Sequence, residues 1–78
     1  MADFTVRIPR ASIANAEATL AEVLVEDGGR VEEGQALFVI ETEKVETEVP
    51  AGASGTVHWT GAVGTTYDVG AEIGVIRA

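Results

Sequence analysis

Apolar and polar positions alternate with a period of two over short stretches of this chain, and each stretch is closed by glycine or proline. Phe4, Val6 and Ile8 alternate with Thr5 and Arg7 before Pro9 ends the run, the spacing that sends successive side chains to opposite faces of a strand. A second apolar segment, Leu20 to Val25, closes at Asp27-Gly28-Gly29, and a third runs from Ala36 to Ile40. Val45 to Val49 alternates strictly and stops at Pro50; Thr56 to Trp59 and Glu72 to Ile76 complete the set, with Gly61, Gly64, Gly70 and Gly74 between or within them. Many short strands separated by turn residues predict an all-β sandwich or barrel.

One segment opposes that pattern. Ala11 to Leu24 is rich in alanine, and Ile13, Ala16, Leu20 and Val23 recur at helical spacing, which by propensity alone predicts a helix. An internal repeat decides the matter. A shift of about 36 residues superposes Gly28-x-x-Val31-x-x-Gly34-x-x-x-x-Val39-Ile40 on Gly64-x-x-Tyr67-x-x-Gly70-x-x-x-x-Val75-Ile76. The segments preceding each copy, Leu20 to Leu24 and Thr56 to Thr60, then correspond, and the second is strand-like. Leu20 to Val25 is therefore expected as a strand, with Ala11 to Ala16 a loop leading into it, in a domain of pseudo-twofold symmetry.

The segments on either side of Glu43-Lys44 pair as a hairpin with a two-residue loop. Thr42 faces Val45, Glu41 faces Glu46, Ile40 faces Thr47, Val39 faces Glu48 and Phe38 faces Val49. One face then collects Phe38, Ile40, Thr42, Val45, Thr47 and Val49, and the other Val39, Glu41, Glu46 and Glu48. A one-residue slip would mix the two sets, so the pattern fixes the register. The loop lacks the Asn-Gly or Asp-Gly of the commonest two-residue turns, and Glu41 opposite Glu46 sets like charges across the pair.

Composition sharpens the interest of that loop. Lys44 is the sole lysine; the other basic residues are Arg7, Arg10, Arg30 and Arg77. With no cysteine and one histidine, His58, disulfides, thiol catalysis and multi-histidine metal sites fall away, and no metal site is expected. The 78 residues make a single domain, with a core drawn from the 46% that are hydrophobic. A formal net charge of −8 argues against nucleic acid, since little here could neutralise phosphates. The N-terminus lacks the basic head and apolar run of a signal peptide, and no apolar stretch is long enough to span a bilayer. A soluble, cytoplasmic protein with no membrane partner is expected.

A nucleophilic or Schiff-base lysine needs an apolar pocket or a neighbouring cation to lower its pKa. The glutamates flanking Lys44 act in the opposite sense. An amine displayed at a turn, to be acylated by another enzyme, fits better than a catalyst; an ordinary surface lysine is the plain alternative. No catalytic residue is expected elsewhere. Glu32-Glu33 reads as a solvated turn with no partnered acid and base. His58 and Trp59 read as a strand histidine and a packing tryptophan, and Tyr67 and Asp68 as turn and core-edge residues.

The stretch Val39-Ile40-Glu41-Thr42-Glu43-Lys44-Val45-Glu46-Thr47-Glu48-Val49-Pro50-Ala51, followed by Ser54-Gly55-Thr56-Val57, resembles the lipoyl-attachment (biotinyl/lipoyl) domain of 2-oxoacid dehydrogenase acyltransferases. Glu43-Lys44-Val45 fits that family's acidic residue, modified lysine, then alanine or valine. Gly28 with Arg30-Val31-Glu32-Glu33-Gly34-Gln35 is similar to its first glycine turn, and Ile8-Pro9-Arg10 with Glu17 and Thr19-Leu20 to its opening strand and surface loop. The chain departs from it at Gly28-Gly29, where Gly-Asp is usual, at Ala18, at Glu46 and in the alanine-rich loop from Arg10 to Ala16.

The resemblance implies a flattened β-barrel, or barrel-sandwich hybrid, of two four-stranded antiparallel sheets, with Lys44 at one end and the termini at the other. It implies a non-catalytic carrier spanning 1–78, monomeric, with lipoate joined to Lys44 by an amide and with Glu43 and Val45 recognised at the turn. The implied partners are a lipoate ligase or lipoyl transferase, then a thiamine-diphosphate 2-oxoacid dehydrogenase, an acyltransferase and dihydrolipoyl dehydrogenase. The 78 residues hold no alanine-proline linker, peripheral-subunit-binding segment or acyltransferase domain, so a freestanding carrier is expected rather than an excised domain. Two rivals remain. A biotin carboxyl carrier shares the fold but flanks its lysine with methionines, where Glu43 and Val45 stand here; an unmodified assembly or adaptor module would keep the glycine frame without needing the lysine. A glycine-cleavage carrier would be longer.

Overall fold

The computed structural model describes residues 3–9, 17–42 and 45–78. Among them it forms eight strands: β1 (Asp3–Arg7), β2 (Glu17–Val23), β3 (Arg30–Val31), β4 (Ala36–Glu41), β5 (Glu46–Pro50), β6 (Gly55–Trp59), β7 (Thr66–Asp68) and β8 (Glu72–Arg77). They make two four-stranded sheets in the orders β1-β8-β6-β3 and β5-β4-β2-β7, with every pairing antiparallel. The sheets are not closed into a barrel. The repeat prevails over alanine's helix propensity: Glu17 to Val23 is a strand, because Ala18 and Leu20 point inward and are buried. The expected Ala11–Ala16 loop lies outside the described residues.

The predicted symmetry is present in detail. Replacing β1, β2, β3 and β4 by β5, β6, β7 and β8 converts one sheet order into the other. Gly28 and Gly64, 36 apart, have φ of 84° and 91°, and Gly34 and Gly70 have 89° and 91°; this left-handed backbone is open to glycine without steric cost. Gly34 N–H donates to the Ala51 carbonyl while Ala51 N–H donates to Gln35. Gly70 and Ala71 hold Ile8 in the same way. A bulge in β2 at Ala21, between the pairs Leu20–Ile40 and Glu22–Val39, adds one residue, so Leu20 corresponds to Val57 at a shift of 37. Ile8 and Ala51 correspond at a shift of 43, which leaves six additional residues in the β1–β2 connection.

β3 and β7 escape the alternation rule. With two and three residues they are too short to show a period, yet they begin 36 residues apart, at Arg30 and Thr66, and contain the Val31 and Tyr67 of the repeat. Tyr67 and Asp68, expected as turn and core-edge residues, lie in β7; Tyr67 packs against the edge of the core, and its hydroxyl accepts the Ala62 N–H at 2.8 Å.

The core is wholly apolar: Val6, Ile8, Leu20, Val31, Leu37, Phe38, Ile40, Val57, Ile73 and Ile76 are among its members, and no described polar or charged residue is buried. A bulge between Ala36 and Phe38 lets two neighbours in sequence, Leu37 and Phe38, both enter it. Trp59 opposes Gly74 on β8, whereas the corresponding pair in the other sheet is Val23 with Phe38. The large residue has changed strands. Phe38 and Trp59 therefore meet between the sheets, edge to face, with ring centroids 6.0 Å apart and planes at 83°. The Trp59 indole N–H donates to the Val25 carbonyl at 2.9 Å.

Gly55 has φ of 156°, and a Cβ there would run into the Arg77 carbonyl on β8. At Gly34 a Cβ would meet nothing within 4 Å, so only the backbone conformation is at stake. Gly34→Ala is expected to cost about 1–2 kcal/mol. Gly55→Ala should cost more, since it adds displacement of β8 to the strain, and urea unfolding of the two variants side by side measures the difference.

Candidate functional site

The site follows from the hairpin register. β4 and β5 pair as Phe38–Val49, Val39–Glu48, Ile40–Thr47 and Glu41–Glu46, the pairing predicted from the alternation. Phe38 and Ile40 are buried and Thr42, Thr47 and Val49 half-buried, while Glu41, Glu46 and Glu48 are exposed. Val45, assigned to the inward row, is 57% exposed: the row has passed the end of the core by that point. Thr42 N–H donates to the Val45 carbonyl at 2.9 Å, closing the hairpin, and the Thr42 hydroxyl reaches the same oxygen at 3.4 Å. Glu43 and Lys44, the residues connecting Thr42 to Val45 in the sequence, lie outside the described residues. Of the three predicted site residues, the described Val45 stands at the closed mouth of the hairpin.

Neighbouring strands extend this end of the sheet. Thr19 on β2 pairs with Glu41 and with Thr66 on β7, so Thr66, Thr19, Glu41 and Glu46 form one row across four strands. The Thr19 and Thr66 hydroxyls are 2.8 Å apart, in hydrogen-bond contact. β2 therefore begins beside the end of β4.

Charge is divided between the sheets, which sequence order conceals. The strands β5, β4, β2 and β7 carry Glu17, Glu22, Glu41, Glu46, Glu48 and Asp68 and no basic residue. The strands β1, β8, β6 and β3 carry Arg7, Arg30 and Arg77 with Asp3 and Glu72. All these charged residues are exposed. The place occupied by Glu41 and Glu46 corresponds, through the pseudo-twofold, to Asp3 opposite Arg77, whose charged groups are 3.9 Å apart. One half has an ion pair where the hairpin half has two like charges. Because the last hydrogen bond runs from the Thr42 N–H to the Val45 carbonyl, Glu41 and Glu46 form the closer, non-hydrogen-bonded type of cross-strand pair. A groove of about 480 Å³ lined by Ala21, Glu22, Val39, Glu46 and Glu48 runs along this outer face. Among the described residues no group of three metal-ligating side chains converges, and no helix is long and apolar enough to cross a membrane.

Two interlocked four-stranded antiparallel sheets, related by a pseudo-twofold, define the barrel-sandwich class of fold. A profile described as "Biotin-requiring enzyme", the biotin/lipoyl attachment family, matches residues 4–76, and the chain belongs to that family. The chain is 38% identical over 69 residues, 87% of its length, to the dihydrolipoyllysine-residue acetyltransferase component of pyruvate dehydrogenase complex from Pseudomonas aeruginosa. Over 41 residues, 53% of its length, it is 51% identical to the component of the same name from Mycoplasma capricolum. Over 72 residues, 91% of its length, it is 35% identical to the dihydrolipoyllysine-residue succinyltransferase component of 2-oxoglutarate dehydrogenase complex from Staphylococcus saprophyticus. These matches cover 12%, 9% and 17% of the respective relatives, so the chain spans a small part of their length.

The like-charged pair has a measurable consequence. Glu41→Arg would copy the arrangement of Asp3 and Arg77 into the hairpin sheet. It is expected to raise stability by a few tenths of a kcal/mol, with most of the gain lost in 1 M salt, where screening acts over about 3 Å. Thermal unfolding at low and high ionic strength checks both parts.

Proposed function

We propose that the chain is a lipoyl carrier domain whose Lys44 Nζ is joined by an amide to lipoate. The observation that carries the reading is the hydrogen bond from Thr42 to Val45: it closes the hairpin across the two positions that hold the chain's sole lysine. The resulting amide would have no rival attachment point. The donor set suits the group. A carboxylate-rich neighbourhood keeps an amine as a handle for another enzyme rather than a nucleophile in its own right, and Glu43 and Val45 flank it where biotin carriers have methionine.

A bound lipoyl group would supply a dithiolane that takes an acyl group and two electrons from the decarboxylated 2-oxoacid, passes the acyl group on to leave a dithiol, and is reoxidised to the disulfide by the flavin of dihydrolipoyl dehydrogenase. The chain's own residues present it. Phe38, Ile40 and Leu37 anchor β4 in the core, Thr42 closes the mouth, and Val45 and Glu43 offer the turn to partner enzymes. The domain contributes no catalytic group; tethering raises the arm's local concentration at each partner site. The partners are a lipoate ligase or lipoyl transferase, and the dehydrogenase, acyltransferase and dihydrolipoyl dehydrogenase of a 2-oxoacid dehydrogenase complex, met in the cytoplasm by a monomeric domain.

Intact-mass measurement of protein made in cells supplied with lipoate and its ligase is expected to show the gain of one lipoyl group, absent from Lys44→Arg. A biotin-sized gain would assign the chain to the other branch of its family. An unchanged mass in cells supplied with both cofactors and both ligases would leave an adaptor module and overturn the carrier reading. Reductive acylation by several dehydrogenases then identifies the 2-oxoacid served.

A further inference from the structure

The Thr42–Val45 contact does more than terminate the β4–β5 ladder. Thr42 continues the inward row of Phe38 and Ile40, where an apolar residue would serve the core equally well, yet it is a hydroxyl residue and only half-buried. Its backbone N–H and its hydroxyl converge on a single acceptor, the Val45 carbonyl, at 2.9 Å and 3.4 Å. The pseudo-twofold places Ala78 at the corresponding position of the other half, 36 residues on, where no hydroxyl exists. A backbone bond alone suffices for a hairpin. The second donor is specific to the half that holds the lysine.

We propose that Thr42 is the positioning residue of the attachment turn: its hydroxyl, with its N–H, clamps the Val45 carbonyl and holds the mouth of the hairpin in the conformation that the modifying enzyme engages. This rests on the carrier reading above. The effect is on a population. If binding requires the closed mouth, loosening the clamp lowers the competent fraction and raises the apparent dissociation constant by the same factor, leaving the chemical step at Lys44 unchanged once the complex forms. Thr42 touches neither the amine nor the incoming acyl group by this account; it acts through Val45.

Thr42→Val removes the hydroxyl while keeping the shape, the strand preference and the backbone donor; Thr42→Ser restores the hydroxyl. With purified lipoate ligase, Thr42→Val is expected to raise KM for the domain by about twofold, the low end of what a hydrogen bond commands because 3.4 Å is long for a hydroxyl donor, with kcat retained. Thr42→Ser is expected to return KM to the wild-type value, and thermal unfolding to show Thr42→Val no less stable than Thr42→Ser. An unchanged KM in Thr42→Val, or a Thr42→Ser variant as impaired as Thr42→Val, overturns the inference. Amide hydrogen exchange on the unmodified domain separates it from the carrier reading. The Thr42 N–H should exchange faster in the valine variant than in wild type, and equal rates overturn the clamp. Wild-type protein that the ligase leaves unmodified overturns the carrier reading instead, whatever the exchange rates.

Discussion

Everything in this fold depends on an exchange of strands between its two halves. The sheet β1-β8-β6-β3 takes β8 and β6 from the second half and β1 and β3 from the first; the sheet β5-β4-β2-β7 reverses the loan. Neither half can complete a sheet alone, and neither can bury its apolar face until the other is present. Such long-range pairing is slow to form, because loop closure must precede the contacts that reward it. It also assigns a meaning to the β4–β5 hairpin. β4 ends one half and β5 begins the other, so the loop that holds Lys44 in the sequence is the seam between the repeats.

The symmetry is kept in the backbone and broken in the side chains, and the breaks divide into two kinds. In the core, Trp59 opposite Gly74 replaces Val23 opposite Phe38, which concentrates both aromatic rings at one contact between the sheets. A Cβ on Gly74 would approach the Trp59 ring to 3.0 Å, so the small residue on β8 is the condition for the large one on β6. At the surface, acid gathers on one sheet and arginine on the other. An outer face with six carboxylates attracts cationic surfaces from beyond contact range at low ionic strength, and the hairpin lies within that face.

Much of this was legible in the residues. Alternation and short apolar runs located five of the six longer strands, and the hairpin register followed from two matching rows of side chains, because a slip by one residue would have put glutamates into the core. The repeat overruled alanine's preference for helix in β2; burial of Ala18 and Leu20 outweighs an intrinsic difference of under about 1 kcal/mol per residue. What escaped did so for physical reasons. β3 and β7 are too short to carry a period, and the bulge at Ala21 changes the repeat spacing by one residue. The division of charge between sheets depends on which strands are neighbours, a property of topology that no local window contains. The convergence of two donors on the Val45 carbonyl likewise appears only in three dimensions, while Glu43 and Lys44 themselves lie outside the described residues.

The ends of the chain occupy a telling place. Asp3 pairs with Arg77 where the other half pairs Glu46 with Glu41, so the start of β1 and the end of β8 sit side by side at the position a second hairpin would fill. Among the described strands the connectivity closes on itself except between Arg77 and Asp3. Circular permutation that cut the chain at the lysine turn and bridged the old termini with a two-residue loop would interchange the two sites without altering a single strand pairing. Which end of the domain bears the loop is a property of where the chain is opened, and it is independent of the sheets that support it.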